Sequence, residues 1–123
     1  MASVVGELKR ILGEFNNRYG ASMSAIVSRS GIPIAWNVPP GTPIENFAAL
    51  SATLLGASEV IYTGVSKPPP TRVIVESEDG VLIVAGLGQK AFVVAMFQKS
   101  GDDMIKGIEE VSKAIMDVLK GPG

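Results

Sequence analysis

In the stretch VSRSGIPIAW, residues 27–36, a glycine divides a polar run from an apolar one, and Arg29 stands just before it. A glycine beside polar donors is the raw material of a phosphate-binding loop, whose backbone N–H groups approach an anion closely. That reading needs a helix after the glycine, and Ile32 to Trp36 reads as a strand instead. Ser30-Gly31 is therefore expected to be a hairpin corner. Gly86-x-Gly88 is only part of a dinucleotide fingerprint and also lacks the following helix. No P-loop is present, so the chain itself is not expected to bind GTP. Ser28, Ser30 and Ser51 offer hydroxyls for nucleophilic catalysis, but the chain has no histidine to activate them, which leaves only lysine as a base. Glu78-Asp79 pairs two carboxylates, but in front of Gly80 that pair is turn chemistry. With neither cysteine nor histidine there is no His/Cys metal site. The expectation is a protein that is not an enzyme, with no catalytic residue, no cofactor and no metal.

Composition narrows the classes further. The chain has 123 residues, a length that suits one domain over residues 1–123 with roughly two-thirds of its unfolded surface buried. Eleven Lys and Arg stand against twelve Asp and Glu, with no long run of one sign. Nucleic acid needs clustered positive charge and is not an expected partner. No uncharged apolar run nears the roughly 20 residues that span a bilayer, so no direct membrane insertion is expected. After Met1 the chain enters an amphipathic pattern, not a secretory signal. The absence of cysteine suits a reducing, cytoplasmic setting. Only 19% of residues are charged while 46% are hydrophobic. That is below the usual quarter, as expected if another chain covers part of the surface.

Periodicity sets out the elements. Val4, Val5, Leu8, Ile11, Leu12, Phe15 and Tyr19 follow helical spacing, with Ser3 as N-cap and Gly20 as the stop. Residues 22–29 and 32–36 read as a hairpin, and Pro33 assigns its second strand to a sheet edge. After Pro39-Pro40-Gly41, Thr42 is the expected N-cap of a helix over residues 43–63, with Pro43 at its first position and Glu45 completing a capping box. Strands are expected over 71–77, 81–87 and 91–99. A last helix is expected from Ser100 as N-cap, with Asp102 and Asp103 in its first turn. Ile105, Ile108, Val111, Ile115 and Leu119 lie along it at helical spacing, and Gly121-Pro122-Gly123 closes it. The order α-β-β-α-β-β-β-α, with short β–β links, predicts an α/β sandwich around a five-stranded antiparallel sheet. The last three strands are apolar on both faces, so helices must cover both sides.

The helix LKRILGEF, the hairpin SAIVSRSGIPIA, the helix FAALSATLLGASE and the strand pair VIVESEDGVLIVAGL together resemble the Roadblock/LC7 domain family. The likeness is to its stand-alone archaeal and bacterial kind, which includes MglB-like GTPase regulators. The resemblance spans about residues 4–119. One departure is Ser30-Gly31, where the family has Asp-Gly or Glu-Gly. The resemblance implies strand order 2-1-5-4-3, with one helix on one face of the sheet and two on the other. It also implies a homodimer through the third strand and middle helix, and a small Ras-like GTPase as partner of a regulator or scaffold. By its position alone Arg29 offers an arginine finger; its simpler role is a solvated residue at the hairpin corner.

The residues support an interface of their own. Under that order the third strand is an edge, yet Val73-Ile74-Val75 carries no blocking charge. Two copies paired antiparallel about Ile74 would set Arg72 opposite Glu76 twice and Val73 opposite Val75. On the middle helix, Ile44, Phe47, Leu50, Leu54, Leu55 and Ile61 are expected to pack on the sheet. The other side carries Ala49, Ala52, Thr53, Gly56 and Val60, small and uncharged, and is expected to meet a second copy, the GTPase or both. Two alternatives stand beside this reading: a small-ligand sensor of profilin or PAS architecture, and a purely structural assembly subunit. A sensor needs a concave pocket with convergent polar groups, and the expected core positions are nearly all aliphatic.

Overall fold

The computed structural model describes residues 3–121. The elements are α1 (Val4–Tyr19), β1 (Ala21–Ser28), β2 (Pro33–Asn37), α2 (Ile44–Gly64), β3 (Arg72–Ser77), β4 (Gly80–Leu87), β5 (Ala91–Phe97) and α3 (Asp102–Lys120). Pro122 and Gly123, expected to close the last helix with Gly121, lie outside the described residues, as does Met1. The sheet runs β2-β1-β5-β4-β3 with every neighbouring pair antiparallel.

Caps explain the first helix. Ser3 accepts a hydrogen bond from the Gly6 N–H at 2.9 Å, and Gly20 ends α1 in the left-handed region with its N–H on the Asn16 carbonyl. Leu8, Ile11, Leu12 and Phe15 form its buried stripe. They meet Met104, Ile108, Val111 and Ile115 of α3 over Ile26, Ile83, Val93 and Phe97 of the sheet. The opposite face is closed by α2, whose Ile44, Ala48 and Leu55 pack on Ala25, Val27, Val84, Phe92 and Val94. One helix on one face and two on the other is thus the observed architecture. Each Leu, Ile or Phe fully buried in these two cores contributes about 1.5–3 kcal/mol.

The 27–36 stretch is a hairpin corner, as expected. Ser28 N–H donates to the Ile32 carbonyl at 2.9 Å, and Gly31 N–H to the Ser28 carbonyl at 2.9 Å. Gly31 has φ +91°, and a Cβ there would lie 3.2 Å from the Ala49 backbone. Only glycine combines that conformation with that close approach. The register slips between Ile26 and Val27, where Val27 faces Pro33 on the edge strand β2.

Three local expectations are overturned. Thr42 does not cap α2: its hydroxyl donates to the Pro39 carbonyl at 2.7 Å and its N–H to the same atom at 3.2 Å. The Pro39–Thr42 turn takes both groups, so the capping box does not form, and Pro43 becomes an N-cap without a side-chain bond. Ser100 does not cap α3. β5 ends at Phe97 rather than residue 99, the link spans residues 98–101, and the side-chain-free Gly101 occupies the N-cap. The third concerns α2. Leu50 and Ile61, assigned to the sheet, are 69% and 65% exposed. The buried row is instead Ile44, Ala48, Ser51 and Leu55. Small Ala48 and Ser51 let the helix lie close to the sheet, and at 100° per residue Leu50 and Ile61 stand roughly 100–120° off that row. Leu119 of α3, part of its helical stripe, is 42% exposed.

Candidate interaction surface

Strand β3 is the free edge opposite β2, and it is the least covered strand of the sheet. Its register against β4 sets where each side chain points. Val73 faces Val84 and Val75 faces Leu82, both on the α2 side; Ile74 faces Ile83, on the α1/α3 side. Arg72, Ile74 and Glu76 therefore share one face, and Val73 and Val75 the other. Ile74 and Val75 are 41% and 43% exposed. Neither Arg72 nor Glu76 makes an ion pair among the described residues.

Helix α2 presents two different flanks above the sheet. The β1–β2 corner lies against Ala49 and Ala52. The opposite flank, Phe47, Leu50, Leu54 and Ile61, is thus turned toward β3. Phe47, Leu54, Val73 and Leu82 are partly buried against the same core, so an apolar strip runs from Leu50 down to Val75. The small-residue flank differs from expectation in one respect: Ala52 is partly buried against the core, while Ala49, Thr53 and Val60 are exposed and Gly56 is half-exposed. Leu50 and Ile61 are the surface residues that periodicity misassigned. The available signal was that only Glu45 and Glu59 are charged along α2. A helix apolar nearly all round calls for cover on more than one side.

Arg29, expected as a solvated corner residue, is half-buried and bonded within the chain. Its Nη1 donates to both Glu59 carboxylate oxygens, at 2.8 and 2.9 Å, and its Nη2 to the Gly88 carbonyl at 2.9 Å. Its backbone N–H donates to the Lys90 carbonyl at 2.9 Å. One residue of the β1–β2 corner thereby holds α2 and the β4–β5 turn together. Gly86 makes room for it, since a Cβ there would fall 2.9 Å from Nη2. Among the described residues, Ser28 and Ser30 bond only each other's hydroxyls at 2.8 Å and the corner backbone.

The shifted titrations lie elsewhere. Arg10 bridges Glu7 and Glu14 on α1, and its hydrogen bond holds Glu7 below the usual carboxylate value while raising Arg10 itself. The Tyr19 hydroxyl donates to Glu110 of α3 at 2.7 Å, which pushes the phenol up, with smaller help from desolvation. Arg18 pairs with the same carboxylate at 2.9 Å. Among the described residues no group of three acidic, histidine or cysteine side chains could hold a metal, and no helix is long and apolar enough to cross a membrane.

The chain thus folds as an α-β-β-α-β-β-β-α sandwich with an open, apolar edge strand. The chain belongs to the Roadblock/LC7 domain family, whose model matches residues 7–97, from α1 to the end of β5. No curated protein matches the sequence. Among solved structures, the gliding protein MglB of Thermus thermophilus is similar over 99% of this chain and 95% of that one, at 18% identity and TM-score 0.87. Myxococcus xanthus MglB is similar over 94% and 96%, at 13% identity and TM-score 0.86. An MglB described with a tetrameric arrangement matches over 98% and 93%, at 17% identity and TM-score 0.87. At these identities the likeness is one of fold.

Proposed function

We propose that the chain is a cytoplasmic homodimer that regulates or scaffolds a small Ras-like GTPase by protein–protein binding, with no catalysis of its own. The observation that carries this reading is the apolar strip from Leu50 of α2 to Val75 of the unblocked edge β3, in a Roadblock/LC7 fold. Two copies joined along β3 would extend the sheet and bring the Leu50, Leu54 and Ile61 flanks of the two α2 helices together. The remaining flank, Ala49, Thr53, Gly56 and Val60, would then form a two-fold platform of small side chains. A GTPase bound there in one switch state more tightly than the other would have its population shifted by that difference. Occupied by Glu59 and Gly88, Arg29 supports the platform rather than reaching a nucleotide.

The test is capture from native lysate with and without a non-hydrolysable GTP analogue, with mass spectrometry of the bound proteins. Recovery of a Ras-like GTPase only with the analogue supports regulation, and recovery in both states supports scaffolding. Absence of any GTPase in either condition overturns the reading.

A further inference from the structure

On the face of the sheet away from α2, the structure holds an open, shallow cleft of about 550 Å³. Its walls include Ile34 of β2, Leu87 at the end of β4, and Met116 and Leu119 of α3. Ile34, Leu87 and Met116 belong to or pack on the α1/α3 core, so the floor is aliphatic and continuous with it. The β4–β5 turn and the start of β5 add Gly88, Gln89, Lys90 and Ala91, and the end of α3 adds Lys120, so two lysines and one neutral amide are the polar side chains of the lining, and no acidic residue is part of it. Neither lysine makes an ion pair among the described residues. Leu119 stands 42% exposed at this cleft, which leaves apolar area for a ligand to cover.

We infer that this cleft binds an aliphatic carboxylate of medium chain length. The alkyl chain lies on Ile34, Leu87, Met116 and Leu119, and the carboxylate sits with Lys90 and Lys120. Charge complementarity selects the head group: two cations, one anion, no competing acid. The lining has no arginine fork for a bidentate phosphate, and ammonium groups serve a single anionic head as point charges.

The test titrates the full chain, isotope-labelled at its methionine methyls, with sodium decanoate below its micelle-forming concentration. The expected result is a saturable shift at Met116 and none at Met23 and Met96. Those two lie in register with each other on the α2 side of the sheet. The exposed double substitution Lys90→Glu/Lys120→Glu is expected to weaken binding about tenfold, and decylamine, with the same chain and the opposite head, to give no saturable shift. The proposal is overturned if Met116 shows no saturable shift or if Met23 and Met96 shift in parallel with it. It is equally overturned if the double charge reversal binds as the native chain does, or if decylamine binds as decanoate does.

Discussion

Arg29 is the residue whose role the tertiary structure changed most. At a hairpin corner an arginine is ordinarily a solvated charge, yet here it joins three segments far apart in sequence. Its side chain and that of Glu59 are 27% and 29% exposed. That places the pair between a surface ion pair, worth little, and a buried one, whose breaking is costly. Arg29→Ala is expected to lower stability by about 1–3 kcal/mol, measured by urea unfolding. A double-mutant cycle with Glu59→Gln should show the two losses to be non-additive. Tyr19 supplies a pH signature of a different kind. Its folded pKa is raised, so the stability its phenol contributes is full below the unfolded value and is lost as pH rises through the folded one. Glu110→Gln should bring the Tyr19 titration back toward the ordinary value, read as phenolate absorbance in a Tyr62→Phe background. Glu7 has the opposite sign: its contribution is present above the ordinary carboxylate pKa and is lost as pH falls through the lowered one.

At the scale of elements, α2 and β3 carry the function proposed. Since Leu50 and Ile61 are largely exposed, Leu50→Glu and Ile61→Glu should dissociate the dimer while leaving the fold of each chain intact. Size-exclusion chromatography with light scattering reads the first effect and circular dichroism the second. Loss of fold in both variants would return these side chains to the core. On β3, Arg72→Glu should weaken self-association and adding Glu76→Arg should restore it. Each cross-strand pair is worth about 0.2–1 kcal/mol and occurs twice. A double variant as weak as the single would mean a different register. The misassigned row on α2 has a plain cause. Aliphatic residues surround the helix, so hydrophobic spacing had no polar side to orient it, and the small residues Ala48 and Ser51 decided which row lies closest. The failed capping box at Thr42 is similar, because a turn three residues upstream competed for the same hydroxyl.

For the whole molecule, a dimer of the proposed kind ties stability to association. Its thermal midpoint should rise with protein concentration, because dimerisation stabilises only the folded chain, and a flat dependence across the dissociation range would argue for a monomer. Element order, the antiparallel hairpins, the edge position of Pro33 and the N-cap Ser3 were legible in the chain alone. They depend on contacts among near neighbours: periodicity, turn chemistry and the missing N–H of proline. The resemblance to Roadblock/LC7 domains added the order of the strands, which local patterns do not encode. What only the tertiary structure decided is long-range. It rotated α2 so that Leu50 and Ile61 face outward, and it seated Arg29 between Glu59 and Gly88. It also opened a lysine-flanked cleft between β2, the β4–β5 turn and α3. Each depends on how side chains of distant segments fill shared space, and packing of that kind is settled only when every segment is in place.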